Sequence, residues 1–114
     1  MDYVNIAKNY NVICHIVQAG DGWCQANGEE KYIDTSYCTD TEIWVGIYEN
    51  KDWETVSFFH ELGHILSPPQ ENIWLQELNA WTIGLQEAAK YGYVINEPSI
   101  FNEYIVPRLN TYFN

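Results

Sequence analysis

The sequence predicts an α+β protein in which a small N-terminal β-sheet is followed by a helical half. The segments that predict strands all end by Tyr48, and the segments that predict longer helices, bounded by proline and glycine, follow it. The chain has 114 residues, of which 46% are hydrophobic and 16% aromatic, enough to bury a core. We therefore expect one domain spanning residues 1–114.

The N-terminal half is predicted to contain one short helix and several strands. Apolar residues at helical spacing indicate the helix, and they are Tyr3, Ile6, Ala7 and Tyr10. Residues 12–18 are β-branched and predict a strand. The turn pair Asn27–Gly28 predicts a hairpin whose arms are WCQA and KYIDTSY. Residues 42–48, EIWVGIY, predict a further strand.

Three helices are predicted in the second half. Asp52 is a good N-cap for a helix over residues 53–67, which the prolines of SPPQ would end. A second helix is predicted over residues 71–90, with a lysine and then a glycine near its C-terminal end. A third is predicted over residues 98–109, with Pro107 bending or ending it.

The segment SFFHELGHILS carries a pattern that can bind a metal. His60 and His64 lie four residues apart, so both side chains leave the same face of one helix. Two neutral imidazoles at this spacing can bind one zinc ion. Glu61 flanks that face and would not be a ligand, but it could act as a general base toward a water at the metal.

The alternative is an ordinary amphipathic helix that carries two histidines by chance. Its neighbours argue against this, because most of them are large and apolar, which indicates a largely buried helix where histidines need partners. Gly63 in the middle of the helix costs about 1 kcal/mol relative to alanine. A glycine at that position is expected where another helix approaches closely. We therefore favour a metal site.

A catalytic zinc site needs a third protein ligand, and the next helix offers three glutamates. Glu71 lies close to the turn and Glu87 lies too far along the helix, so Glu77 is the preferred ligand. Ala80 and Gly84 would let this helix pack close to the HELGH helix. The short SPPQENIW link allows the two helices to form a hairpin that brings Glu77 toward the histidines.

ETVSFFHELGHILS followed by ELNAW resembles the zincin metallopeptidases in their gluzincin form, and most closely the small ImmA/IrrE-type domains of phages and mobile elements. The resemblance rests on His60, Glu61, His64, Glu77 and Ala80. It implies a minimal zincin-like fold, a Zn²⁺ cofactor, and an endopeptidase acting on a peptide or protein. The resemblance covers about a quarter of the chain, and the helix-turn-helix neighbour usual in that family is absent from this sequence.

Two further expectations follow from a peptidase mechanism. An extended substrate would pair with an edge strand, and EIWVGIY, with Trp44, Val45 and Gly46, is the first candidate. A buried core strand is the equally open alternative for this segment. Tyr91 and Tyr93, which follow Glu77, are candidates for stabilising the oxyanion.

The charge of the chain excludes some partners and permits others. There are 16 acidic and 5 basic residues, a net charge of −11, which argues against direct binding to nucleic acid or to anionic membranes. A basic protein partner remains possible, so the alternative function is a non-enzymatic acidic inhibitor or DNA mimic of a phage or mobile element, built on the same scaffold. Acidity could also serve solubility alone.

Cysteine usage and the N-terminal residues predict a cytoplasmic protein. Cys14, Cys24 and Cys38 are odd in number and lack CxxC spacing, which indicates no disulfide framework and no second metal site. The first residues form no signal peptide, and no apolar run is long enough to span a membrane.

Overall fold

The structure is a computed structural model that describes residues 1–18, 23–26, 29–32, 36–47, 51–94, 102 and 105–111. Within these residues, helices and strands follow the order α1 (Tyr3–Lys8), β1 (Ile13–Gln18), β2 (Trp23–Ala26), β3 (Glu29–Tyr32), β4 (Tyr37–Cys38), β5 (Glu42–Ile47), α2 (Lys51–Leu66), α3 (Ile73–Lys90) and α4 (Val106–Thr111). The predicted α+β class is confirmed.

Three strands form a mixed sheet with β5 in the middle. β1 runs parallel to β5, with Ile13 opposite Glu42, and β4 runs antiparallel to β5, with Tyr37 opposite Trp44. The crossover that a parallel pair requires contains the separate β2–β3 hairpin. The hairpin prediction is confirmed, although its turn lies outside the described residues. Its second arm was expected to run to Tyr37, but that residue pairs with β5 instead.

The prediction that EIWVGIY is an edge strand is wrong. β5 has β1 on one side and β4 on the other. Trp44 and Val45 are only 3% and 1% exposed, and Gly46 is also buried. An apolar run of this kind can belong to a buried strand as well as to an edge, and here the core alternative holds. Tyr48 lies outside the described residues.

The N-terminal boundaries of α2 and α3 differ from those predicted. α2 begins at Lys51, so Asp52 lies in its first turn instead of capping it, where a carboxylate still favours the positive end of the helix dipole. α3 begins at Ile73, because the Asn72 side chain accepts a hydrogen bond from the Leu75 amide at 3.1 Å. A polar residue that suits an N-cap also suits the first turn, so the sequence defines these ends only to within a few residues.

The C-terminal helices are partly as predicted. α3 ends at Lys90, and Gly92 follows it with φ of 83°, a conformation that favours glycine. Of the third predicted helix, only residues 102 and 105–109 are described, so its expected start at residue 98 cannot be compared. Pro107 does not end the helix, because it lies in the first turn of α4, where the N–H that proline lacks would have no helical partner.

α2 lies between the sheet and α3, and it carries much of the core. Its residues Phe58, Phe59 and Leu62 are fully buried, and they pack with residues of α1, β1, β5 and α3. A smaller cluster joins α2 to the C-terminal part of the chain and contains Trp53, Val56, Trp81 and Ile105. No helix in the described ranges has the length and apolar character needed to cross a bilayer.

A buried polar contact ties α1 to the first turns of α2. The Tyr3 hydroxyl donates a hydrogen bond to Glu54 Oε2 at 3.1 Å and lies 2.9 Å from Thr55 Oγ1. Lys51 Nζ lies 3.2 Å from the other oxygen of Glu54, which is itself only 9% exposed. Burial, reinforced by the charge of Glu54, raises the pKa of the Tyr3 hydroxyl well above its ordinary value. The hydroxyl is therefore a stable donor to this carboxylate.

Candidate metal centre

The helical hairpin brings the three predicted ligands together. His60 and His64 come from α2, and Glu77 comes from the second turn of α3. Glu77 Oε2 lies 3.0 Å from His60 Nε2, and Oε1 lies 3.2 Å from His64 Nε2. The two Nε2 atoms are 3.2 Å apart. One donor atom of each residue lies within 4.8 Å of the others, so the group could hold a metal ion.

Two glycines set the short distance between α2 and α3. A Cβ on Gly63 would lie 2.0 Å from the carbonyl oxygen of Ala80, and a Cβ on Gly84 would lie 2.2 Å from the carbonyl oxygen of Phe59. Each helix thus presents a glycine to the backbone of the other. The close approach expected from Gly63, Ala80 and Gly84 is confirmed, and it is what allows a short glutamate side chain to reach both histidines.

The three ligand side chains are mostly shielded from solvent. Their exposed fractions are 13% for His60, 24% for His64 and 15% for Glu77. Burial alone would raise the pKa of Glu77, but hydrogen bonds and charge from the two histidines lower it to about 2. Burial alone would lower the pKa of His64, but the hydrogen bond and charge of Glu77, together with the charge of Glu61, raise it. Glu77 therefore stays ionised, which suits a metal ligand.

The ring of His60 is held against an aromatic face. Its centroid lies 3.8 Å from that of the Trp81 ring, with the two planes 23° apart. Trp81 is only 3% exposed and lies on α3, one turn beyond Glu77. The Nδ1 atom of His60 is buried and has no hydrogen-bond partner among the described residues. His60 is thus oriented by its Nε2 contacts and by ring stacking.

The ligands open into a cavity of about 580 Å³ that Glu61 also lines. Tyr37 and Cys38 of β4 also line this cavity. Burial raises the pKa of the Cys38 thiol well above its usual range, and the charge of Glu61 and a hydrogen bond to it raise the pKa further. The thiol therefore remains protonated. Glu61 thus lines the same cavity as the three predicted ligands.

The other predicted site residues lie away from this cavity. Trp44, Val45 and Gly46 do not line it, because β5 is the central strand and β4 stands between it and the cavity edge. Neither Tyr91 nor Tyr93 lines it, so the structure does not bring these two oxyanion candidates together with the predicted ligands. Both lie just beyond the far end of α3.

Their hydroxyl groups are engaged elsewhere. The Tyr91 hydroxyl accepts a hydrogen bond from Asn9 Nδ2 at 3.1 Å, and the Tyr93 hydroxyl donates to the carbonyl oxygen of Asp52 at 3.2 Å. Both rings pack against the main core cluster. Proximity to Glu77 in sequence was misleading, because α3 carries the chain away from the ligands.

Cys38 and Arg108 are among the cavity-lining residues that were not predicted from the sequence. Cys38 had no predicted role in the site, and its place in the cavity wall with Glu61 follows from strand pairing that the sequence does not reveal. Arg108 of α4 also lines the cavity, and its guanidinium lies 4.5 Å from the centroid of the Trp53 ring. It is the only arginine of a strongly acidic chain, which is the signal that could have singled it out.

The donor set fits a metal that accepts nitrogen and oxygen ligands. Two imidazole nitrogens and one carboxylate oxygen are the three-ligand set of many catalytic zinc sites. The open cavity beside them leaves room for a water or a substrate. No protein-family model, no curated protein and no solved structure matches this chain.

Proposed function

We propose that this protein is a zinc-dependent endopeptidase of the zincin type, with His60, His64 and Glu77 as ligands and Glu61 as general base. The observation that carries the proposal is the convergence of the three ligands with Glu61 in one cavity. The resemblance of HELGH and the following ELNAW to gluzincins, and to small phage metallopeptidase domains, supports the same function. Zinc is preferred to other metals because this ligand set and an open position are typical of its catalytic sites.

The residues of the chain divide the chemistry among them. A bound zinc ion supplies a Lewis acid that polarises the scissile carbonyl and lowers the pKa of a water. Glu61 accepts the proton of the attacking water and then delivers it to the leaving amine. Glu77 and the two histidines hold their donor atoms in place, and the close helix packing keeps those positions fixed.

The substrate would lie along β4. This strand is the outermost of the three-stranded sheet on the side of the cavity, and both of its residues line that cavity. An extended peptide could add to β4 by backbone hydrogen bonds and pass over Glu61. In this proposal β4 takes the substrate-binding role that the sequence analysis gave to β5.

Metal analysis combined with a single substitution of Glu61 tests the function. We expect one zinc per chain in the native protein, loss of zinc in His60→Ala and Glu77→Ala, and retention of zinc in Glu61→Gln. Hydrolysis of a quenched fluorescent peptide library should fall by roughly 10²-fold or more in Glu61→Gln, since general bases contribute on that scale. A folded native protein that takes up no zinc, or a Glu61→Gln variant with undiminished hydrolysis, would contradict the proposal.

The net charge of −11 favours a second candidate, an acidic inhibitor or DNA mimic that binds a basic protein. In that case the metal would be structural or absent. Binding to an immobilised basic protein would weaken strongly with salt and would be unchanged in Glu61→Gln, because one lost charge among 16 acidic residues is a small change. A protein that hydrolyses no peptide and shows this salt-dependent binding would support the second candidate over the first.

A further inference from the structure

We propose that Trp81 is the positioning residue of the metal centre, because it fixes the ring of His60 by stacking where a hydrogen bond would ordinarily do so. This inference rests on the proposed metal site. Trp81 is not itself a ligand, yet it would determine the zinc affinity of the site.

One ring nitrogen of His60 has no hydrogen-bond partner within the described residues. A histidine that binds a metal through one ring nitrogen usually donates from the other to a carboxylate or a carbonyl, which fixes the orientation of the ring. In this protein Nε2 faces Glu77 and His64, whereas Nδ1 is buried without a hydrogen-bond partner in the described part of the chain. Among the described residues, therefore, no side chain or carbonyl serves as the usual second anchor of the ring.

The face of the Trp81 indole takes the place of this anchor. The Trp81 ring lies 3.8 Å from the His60 ring and is tilted by only 23°, so it covers one face of the imidazole. Rotation of the imidazole about its bond to Cβ would drive the ring edge into the indole. Stacking therefore limits the same rotation that a hydrogen bond at Nδ1 would limit.

Trp81 is itself held in place by close packing. It is 3% exposed and packs in the cluster formed with Trp53, Val56 and Ile105. The centroids of Trp53 and Trp81 are 6.2 Å apart, and the Arg108 guanidinium lies 4.5 Å from the Trp53 ring. Planar groups thus continue from His60 through both indoles to the arginine, and they connect the metal centre to α4.

The position of Trp81 in the chain gives the arrangement a simple geometric basis. Trp81 lies four residues after Glu77, so both side chains leave the same face of α3. The same face supplies one metal ligand directly and supports another from α2. A change at Trp81 is therefore expected to alter the centre without removing any ligand.

The test compares Trp81→Leu, Trp81→Phe and a matched core variant, Ile105→Ala. Ile105 is 1% exposed and lies in the same cluster, but it carries no ring that could stack on His60. Zinc affinity is measured by competition with a chromogenic chelator, and coordination geometry by the visible absorption of the cobalt(II)-substituted protein. Circular dichroism establishes that each variant is folded at the temperature used.

We expect Trp81→Leu to weaken zinc binding by roughly 10- to 100-fold, as loss of an orienting partner does, and to change the cobalt spectrum. Trp81→Phe should recover most of both properties, because it retains an aromatic face. Ile105→Ala should lower the melting temperature yet keep the native zinc affinity and spectrum. These results would separate positioning from a general contribution to stability.

Two outcomes would overturn the inference. One is a folded Trp81→Leu variant with native zinc affinity and an unchanged cobalt spectrum, and the other is an equal loss of affinity in Ile105→Ala. Weakened zinc binding in Trp81→Leu would support the positioning role even if the native protein cleaves no peptide, an outcome that contradicts only the peptidase. A native protein that binds no zinc would overturn both proposals.

Discussion

Replacing Gly63 by alanine tests whether the glycine contact between α2 and α3 holds the metal centre together. The added Cβ would lie 2.0 Å from the Ala80 carbonyl oxygen, whereas ordinary contacts begin near 3.4 Å. The clashing atom belongs to the backbone and cannot turn aside, so the helices must separate by more than an ångström at this point.

Two opposing terms determine the effect on stability. Alanine gains about 1 kcal/mol over glycine in a helix. Overpacking typically costs about 1–3 kcal/mol, and a backbone clash belongs at the upper end of that range. We expect a net loss of about 2 kcal/mol, or a fall of roughly 8 °C in melting temperature for a domain of this size.

The effect on metal binding should be larger than the effect on stability suggests. Glu77 lies 3.0 Å from His60 Nε2 and 3.2 Å from His64 Nε2, and both distances span the two helices. Sites of this kind tolerate displacements of only about 0.5 Å. We therefore expect zinc affinity to fall at least about tenfold, measured by chelator competition beside thermal unfolding of the metal-free protein.

Gly84→Ala is the reciprocal variant and should behave alike, because its Cβ would lie 2.2 Å from the Phe59 carbonyl oxygen. Gln86→Ala, at an exposed position of α3, is the control and should leave the melting temperature and the zinc affinity unchanged. If Gly63→Ala is more stable than the native protein by the helix-propensity gain and binds zinc normally, the argument from close packing is refuted.

Two further predictions concern the metal-free protein. Folding lowers the pKa of Glu77 from 4.5 to about 2, so its ionised form stabilises the fold above pH 4.5, and this contribution is lost as the pH falls toward 2. In an acid titration followed by circular dichroism, the free energy of unfolding of the native protein should fall by up to about 3 kcal/mol more than that of Glu77→Gln. Tyr3→Phe should lower the free energy of unfolding in urea by about 1–2 kcal/mol, because it removes a hydrogen-bond donor from the buried Glu54. The control is Val4→Ala, at an exposed neighbouring position, and a loss in Tyr3→Phe no greater than in this control would contradict the prediction.

The parts of the site that the sequence predicted are those set by local periodicity. The four-residue spacing of the histidines fixes a shared helix face, and the short link after α2 places Glu77 opposite them. Gly63 stood out because a glycine in a helix interior needs a reason. Each of these inferences uses only the geometry of one helical hairpin.

The parts that could not be predicted depend on how distant segments pair. Whether EIWVGIY lies at an edge or in the middle depends on β1 and β4, and the strand itself is apolar in either case. Cys38 reaches the cavity because β4 pairs with β5. Tyr91 follows α3 closely in sequence, yet the length of that helix carries it away from Glu77.

The origin of all three candidate ligands in the α2–α3 hairpin has a consequence for the order of folding. Contacts within such a hairpin close a short loop, whereas the parallel pairing of β1 with β5 must first close the long crossover between them. We therefore expect the ligands to come within reach of one another while the sheet is still unformed. A metal captured at that stage would join the two helices in the nascent chain, and the sheet would then assemble on a hairpin already in place.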